Sequence, residues 1–389
     1  MNSNRTQELF KGIGVIIDNN INNANSTDRI LKIKRYLENK HFPILTYESL
    51  PSDEEIQCLH SVSFIILDWN LSGNDIGVAI PEETINDNID FLNRLKKISY
   101  APVFIFTNED TDSIINILKD NELYHDEFNH IFVKNKESIK SGKSLFSCIN
   151  QWLNKTPSVY VMKEWENKIN TAKTQLYYDL YGISPFWPIT MYKTYKNDFG
   201  TETNSGIVDL INRNLTARCS SIELDSTILN KRKTTVKKEG LRKLLEYERF
   251  IKGLPDYPCM GDVFKEQDGE DYIYYINIRP DCDIVRKKDI ELYLIKGKAI
   301  DETQINKRNS DYIFDEGSFI EKATHSILSF IDDGKIVEFK FRNFKVINWK
   351  KMKGKRIGRL LPPYVTRIKN QYVAFLNRQG IPSIPDKSI

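Results

Sequence analysis

Short apolar runs, each ending at a polar residue, constrain the fold of residues 12–153 more than any other feature of the chain. A continuous apolar run of this length is typical of a strand buried on both faces, as in a parallel sheet. Open parallel sheets bind their ligands beyond the carboxyl ends of the strands, so each terminal polar residue is placed at that edge. The runs and the residues that end them are 14–17 with Asp18, 64–67 with Asp68, 103–106 with Thr107, and 131–133 with Lys134.

These four strand ends would bring the parts of a phosphoryl-transfer site to one crevice. Asp18 and Asp68 supply carboxylate oxygens, which are ligands that Mg²⁺ prefers. A cation is expected beside them because clustered carboxylates raise one another's pKa. The Thr107 hydroxyl and the Lys134 ammonium can contact a phosphoryl group, whose transition state spreads negative charge over its oxygens. The sequence therefore predicts a Mg²⁺-assisted site at this sheet edge.

The order of apolar and polar segments predicts three regions. Residues 1–155 alternate strand-like and helix-like segments, which is typical of a five-stranded α/β unit. Residues 156–254 are predicted to be helical, as a connector or as a domain. Residues 255–389 are predicted to form a β-rich α+β domain, a small β-barrel or curled sheet that ends in a helix.

Smaller features refine this division. The polar segment 72–88 is predicted to be an extended surface loop, followed by a helix over 89–98. Asp332-Asp333-Gly334 is a hairpin signal between two strand-like runs. Pro362-Pro363 precedes the predicted last helix, over 364–378.

Residues 12–153 resemble a response-regulator receiver domain of two-component signalling, on the ordered set Asp18, Asp68-Trp69-Asn70, Thr107 and Lys134. The resemblance covers a little over a third of the chain and implies a flavodoxin-like (βα)5 fold. It implies that Asp68 accepts a phosphoryl group from a phosphohistidine of a histidine kinase or phosphotransfer protein. It also implies that Asp18, Asp68 and the carbonyl of Asn70 hold Mg²⁺. Lys134 would pair with Asp68, and Thr107 would move toward the phosphoryl group as a switch.

The sequence differs from the family at three places. Asn19 follows Asp18 where a second acid is usual, and losing that carboxylate is expected to weaken Mg²⁺ binding. Asn135 follows the lysine where proline is common. Ile131 stands where many receivers keep an aromatic switch residue.

Composition limits the setting of the protein. The five cysteines include no C-x-x-C pair, which argues against a disulfide framework and a zinc ribbon. The sequence shows no apolar signal-peptide core and no run long enough to span a membrane, so a reduced, cytoplasmic protein without membrane partners is expected. The formal net charge of +3 is small for 389 residues.

Three functions remain open from the sequence. The first is a signalling protein, in bacterial stress or phage defence, that accepts a phosphoryl group on Asp68 and relays the signal through a protein effector. A variant of it is a receiver that is not phosphorylated and acts only as a docking module for a partner. The second is a DNA-binding response regulator with the C-terminal half as output, because basic residues gather over 340–378 and aromatic residues interleave with them over 339–349. The third is an enzyme that uses the Asp281-Cys282-Asp283 turn. In the first reading, the only enzyme activity expected is self-catalysed phosphoryl transfer and hydrolysis at Asp68.

Overall fold

The computed structural model describes residues 3–23, 29–73, 79–125, 129–199, 205–224, 226–229, 237–284, 289–300, 319–321 and 325–378. The chain divides into two compact units that each take two stretches of sequence. The first unit comprises residues 1–183 and 211–232, and the second comprises residues 184–210 and 233–389. The helical region predicted between 156 and 254 is therefore shared between the units.

The first unit is built on a five-stranded, fully parallel sheet in the order β2-β1-β3-β4-β5. This is the strand order of flavodoxin-like doubly wound folds. The strands contain the apolar runs, and β1, β3 and β4 are buried throughout, because uniformly apolar strands are stable only where both faces of the sheet are covered. The strands are β1 (Gly14–Ile17), β2 (Ile44–Tyr47), β3 (Phe64–Leu67), β4 (Val103–Thr107) and β5 (Ile131–Asn135).

Helices follow the strands and cover both faces of this sheet. Alternate strand residues enter separate cores, so Ile16 packs in one cluster while Val15 and Ile17 pack in the other. The first cluster also contains Val159, Tyr160 and Ile228, so it extends beyond the predicted boundary at 155. The helices of the unit are α1 (Ser3–Leu9), α2 (Arg29–Asn39), α3 (Asp53–Cys58), α4 (Glu82–Leu95), α5 (Thr111–Asp120), α6 (Gly142–Leu153) and α7 (Pro157–Ile183).

Helix α4 begins seven residues earlier than predicted. The predicted loop 72–88 contains the first two turns of this helix, from Glu82, and residues 74–78 lie outside the described part of the chain. Pro81 stands just before the first helical residue, and Glu82 and Glu83 lie in the first turn, where acidic side chains favour the helix N-terminus. The polar composition of this turn concealed the helix because its apolar face starts only at Ile85.

Four helices follow α7 along the chain: α8 (Trp187–Phe199), α9 (Ser205–Arg218), α10 (Ser226–Leu229) and α11 (Lys238–Arg249). Helix α9 contains a division between the units, which falls between residues 210 and 211. Across the described ranges, none of the helices combines the length and apolar character that crossing a membrane requires.

The second unit is built on an eight-stranded sheet with antiparallel pairing between neighbours, in the order β10-β11-β12-β9-β8-β7-β13-β6. The sheet is curled, which is one of the two forms that the sequence predicts, a small β-barrel or a curled sheet. Its strands are β6 (Phe250–Ile251), β7 (Asp262–Asp268), β8 (Asp271–Asn277), β9 (Glu291–Ile300), β10 (Phe319–Glu321), β11 (His325–Ile331), β12 (Lys335–Asn348) and β13 (Arg356–Leu360). Three helices complete it: α12 (Asp281–Ile284), α13 (Trp349–Met352) and α14 (Tyr364–Leu376).

The predicted hairpin turn joins β11 to β12. Asp332, Asp333 and Gly334 have φ values of 50°, 61° and 79°, which is the left-handed region that Asp and Gly tolerate in tight turns. Asp332 is also bound by the Tyr274 hydroxyl at 2.7 Å and by Lys265 Nζ at 2.8 Å, which ties the turn to the sheet. The predicted last helix is confirmed as α14, and residues 379–389 lie outside the described part of the chain.

Candidate functional site

A buried lysine joins two carboxylates at the carboxyl edge of the parallel sheet. Lys136 Nζ lies 2.8 Å from Asp18 Oδ2 and 2.8 Å from Asp68 Oδ2. All three residues are buried: Asp18 follows β1, Asp68 follows β3, and Lys136 follows β5. The apolar runs of the strands carry these groups into the interior, and the ammonium compensates a pair of charges that could not be buried alone.

The cation of this cluster is Lys136 and not the predicted Lys134. Strand β5 continues through two polar residues, so Lys134 still lies within the sheet, in register with Phe106. Asn135 pairs with Thr107, the last residue of β4, and Lys136 is the first residue beyond that edge. Residues two positions apart on a strand have side chains on the same face of the sheet, and they are separated by roughly 7 Å along the strand. The prediction ended the strand too early, because the apolar run ends at Val133.

Burial sets the protonation of the cluster. The pKa of Asp68 is raised to about 7, chiefly by desolvation and also by the charge of Asp18, and this value already includes the opposing effects of Lys136 and the Asn70 backbone N–H. Burial acts to lower the pKa of Lys136, but the two carboxylates outweigh it and raise that pKa above its ordinary value. The lysine is therefore charged at neutral pH, and a proton on Asp68 is within reach of physiological pH.

The predicted hydroxyl and amide lie at the same edge and are linked through Glu109. Thr107 is fully buried at the end of β4, and its Oγ1 accepts a hydrogen bond from the Glu109 backbone N–H at 3.1 Å. The side chain of Asn70 donates to Glu109 Oε1 at 3.1 Å and accepts from Ser72 Oγ at 2.6 Å. Glu109 is a residue of this edge that the sequence did not single out.

A buried amide from α4 reaches the residue after Asp68. Asn88 is fully buried, and its Nδ2 donates to the Trp69 carbonyl oxygen at 2.8 Å. The sequence does not indicate Asn88 as a site residue, because the polar composition of residues 72–88 predicts a loop. The usable signal was a polar residue at an inward position of an amphipathic helix, flanked by Ile85, Ile89 and Leu92.

The carboxylates of the cluster retain oxygens that suit a hard cation. Asp18 Oδ1 accepts the Asn20 backbone N–H at 2.9 Å, and Asp68 Oδ1 accepts the Asn70 backbone N–H at 3.4 Å. A carboxylate oxygen that accepts one such bond still has a lone pair for a metal. Mg²⁺ needs only one or two carboxylates when water supplies its other ligands, so this donor set fits it. The described residues contain no group of three or more His, Cys, Asp or Glu that could hold a metal ion together.

The Asp281-Cys282-Asp283 turn is the second site that the sequence offers. Cys282 lies exposed on the short helix α12, and its Sγ is 3.9 Å from Asp283 Oδ1. Asp281 Oδ1 accepts the Met260 backbone N–H at 2.6 Å, which is a turn-fixing contact. Asp281 therefore fixes the turn, and the Cys282 thiol contacts the carboxylate of its neighbour Asp283 on the protein surface.

Much of the basic C-terminal segment is engaged in ion pairs within the second unit. Asp262 is fully buried and is bound by Arg359 Nε at 2.7 Å and Arg356 Nη1 at 3.3 Å. Four lysines of the segment also contact acids: Lys340 with Glu338, Lys350 with Asp289, Lys353 with Asp256 and Lys355 with Glu266. These pairs leave less free positive charge for nucleic acid than the sequence alone indicates.

No protein-family model matches the chain, and no curated protein matches it in sequence. The functional interpretation therefore depends on the strand order of the first unit and on the geometry at its carboxyl edge.

Proposed function

We propose that the first unit acts as a response-regulator receiver in which Asp68 accepts a phosphoryl group. The observation that carries this proposal is the Asp18–Lys136–Asp68 cluster at the carboxyl edge of a sheet with the order 2-1-3-4-5. An acceptor carboxylate, a second carboxylate and an ammonium are the groups that an in-line phosphoryl transfer uses for positioning and charge compensation.

Each residue of the edge has a role in this proposal. An Asp68 carboxylate oxygen attacks the phosphorus of a phosphohistidine on a histidine kinase or phosphotransfer protein, so that an O–P bond forms while the P–N bond breaks and the donor's imidazole leaves. Asp18 and Asp68, with the carbonyl of Asn70, would hold Mg²⁺, which when bound supplies charge compensation for the phosphoryl oxygens. Lys136 takes the role that the sequence assigned to Lys134, because its ammonium already contacts Asp68. Thr107, which pairs with Asn135 directly before that lysine, would supply a hydroxyl to the phosphoryl group.

The output of the proposed switch is a changed contact with a protein effector. Phosphorylation adds about −1.5 to −2 charges at one point. That charge would draw Lys136 away from Asp18 toward the phosphoryl oxygens, and the carboxylate of Asp18 would lose its partner. A rearrangement of the loops around Thr107 and Asn70, which Glu109 links, would carry the change to the surface.

A docking module that is never phosphorylated is the second candidate, and one observation favours it. Lys136 already forms an ion pair with both carboxylates, so that even with both ionised the cluster carries one net negative charge without a metal. A site that is stable in this state can hold one conformation and bind a partner in it.

Labelling of the full chain with acetyl phosphate and Mg²⁺ separates the two candidates. We expect one phosphoryl group on the wild-type chain by intact mass, none on Asp68→Asn, and wild-type labelling of Asp87→Asn, an exposed acid on α4. Equal labelling of Asp68→Asn would remove Asp68 as the acceptor. Absence of any label on the wild-type chain, with the same donor phosphorylating a receiver control, would leave the docking module.

A further inference from the structure

We infer that Asn88 is a positioning residue for the Asp68 carboxylate, an inference that rests on the proposed function of Asp68. Asn88 contacts neither a reacting atom nor a carboxylate in the described structure. Its Nδ2 donates to the carbonyl oxygen of Trp69, the residue that directly follows Asp68. Trp69 is itself fully buried, so this carbonyl is fixed between the core and α4.

One rigid peptide group connects Asn88 to the acceptor. The Trp69 carbonyl and the Asn70 N–H belong to the same peptide plane, and in a trans peptide they point in opposite directions. Asn88 holds the carbonyl end at 2.8 Å, and the N–H end donates to Asp68 Oδ1 at 3.4 Å. Rotation of this peptide would remove both contacts together. Asp68 is therefore held through Oδ1 by a peptide that Asn88 orients, and through Oδ2 by Lys136.

Packing of α4 does not explain an asparagine at this position. The neighbouring inward residues Ile89 and Leu92 are apolar and belong to the core beneath the sheet. Asn88 Oδ1 is buried and has no hydrogen-bond partner among the described residues, which destabilises the folded state. Leucine has the same branched shape and would fill the site without burying that oxygen. The amide is accounted for by the donor that it supplies to the Trp69 carbonyl.

Substitution of two asparagines on α4 tests the inference in the full chain. Asn88→Leu removes the donor and keeps the side-chain shape, while Asn86→Leu makes the same change on the exposed face of the same helix. In Asn88→Leu we expect shifted NMR signals for the Trp69 carbonyl carbon and the Asn70 amide, and faster hydrogen exchange of that amide. Labelling of Asp68 by acetyl phosphate is expected to slow about ten- to a hundredfold, as for a misplaced reacting group. Asn86→Leu is expected to match wild type in both measurements.

The two measurements distinguish failure of this inference from failure of the proposed function. Unchanged Trp69 and Asn70 signals in folded Asn88→Leu overturn the inference, whatever the labelling rate. An unchanged labelling rate in a variant whose Asn70 signal has moved also overturns it. If the wild-type chain takes no phosphate, the proposed function fails, and the NMR signals alone decide whether Asn88 orients the peptide that holds Asp68.

A measurement on the wild-type chain keeps the inference testable if Asn88→Leu does not fold. The side-chain amide protons of Asn88 are expected to exchange slowly, because one of them is held by the Trp69 carbonyl. Exchange of both protons at the rate of a free asparagine amide would contradict the hydrogen bond and overturn the inference.

Discussion

At the residue scale, Lys136 is the residue on which the buried cluster depends. It is the cation shared by Asp18 and Asp68, so its removal leaves two buried carboxylates without their ammonium. Breaking a buried ion pair by removing one partner costs roughly 3–5 kcal/mol. We expect Lys136→Met to lower the free energy of unfolding of the first unit by about that amount, measured from its transition in urea denaturation.

The neighbouring lysine provides the matched control for this substitution. Lys134 is half-buried two residues earlier on β5 and forms no ion pair in the described structure. Lys134→Met is expected to change the free energy of unfolding by less than about 1 kcal/mol. Equal losses from the two substitutions would show that the register of β5 at the sheet edge is wrong.

Protonation of Asp68 makes stability depend on pH in a defined direction. Burial raises the pKa of Asp68 from 3.8 to about 7 in the folded protein, so between these values the folded state binds more protons than the unfolded state. The contribution of this carboxyl to stability is therefore complete below about pH 4 and is lost as the pH rises through about 7. In Asp68→Asn that loss is absent, while Lys136 keeps Asp18 as its partner.

Urea denaturation of both chains between pH 4 and pH 8 measures this effect. The stability of the wild-type chain relative to Asp68→Asn is expected to fall across the range, because only the wild-type chain must ionise the buried carboxyl at position 68, while Asp18 is present in both chains. A difference that stays constant, or that grows with pH, would contradict the raised pKa of Asp68.

At the element scale, two glycines of the second unit allow the cost of backbone strain to be distinguished from the cost of close packing when a Cβ is added. Gly261 and Gly269 have φ values of 92° and 68°, which residues with a Cβ adopt at a cost of roughly 1–2 kcal/mol. A Cβ at Gly261 would also lie 2.2 Å from the Leu360 carbonyl oxygen, where β13 passes close to the start of β7, whereas a Cβ at Gly269 meets open space.

Alanine at these two positions is expected to give unequal losses of stability. Gly269→Ala should cost about 1–2 kcal/mol from strain alone, and Gly261→Ala should cost more, because backbone atoms of β13 must move. Chemical denaturation followed by far-ultraviolet circular dichroism measures both. Equal costs would show that β13 can move away from Gly261 without losing its pairing to β7.

Several elements could be predicted from the sequence because their local pattern agrees with the fold. The strands of the parallel sheet were visible as apolar runs, and Asp332-Asp333-Gly334 required a tight turn. The extension of β5 to Asn135 could not be predicted, because its last residues are polar and are held by pairing to β4. Because the end of β5 could not be predicted, the sequence indicates Lys134 as the site lysine in place of Lys136.

At the scale of the whole molecule, the division into two units follows contacts that the chain order conceals. Residues 211–232 return to the first unit, where Ile228 is buried in the same cluster as Phe104 and Trp152. A periodic pattern can identify these helices, but it cannot say which core an apolar face joins. The predicted boundaries at 155 and 254 therefore cut through stretches that the structure assigns to the two units.

Separate cores predict that the full chain unfolds in more than one step. Each unit buries its own apolar clusters, and chains with two such units commonly depart from two-state unfolding. Lys136→Met acts on a contact inside the first unit, and Gly261→Ala acts on one inside the second. We expect each substitution to shift a different transition in urea, because energetic coupling is weak between sites that share no partners.

Fluorescence and circular dichroism recorded on the same samples can resolve the two transitions, because tryptophans are distributed over both units while most strands belong to the second. The double variant Lys136→Met with Gly261→Ala should show both shifts, each of the size found in the single variant. A single transition that moves as a whole with either substitution would mean that the two units unfold as one cooperative body. The proposed phosphorylation of Asp68 would then affect the stability of the second unit as well, since stabilising one unit would stabilise the other.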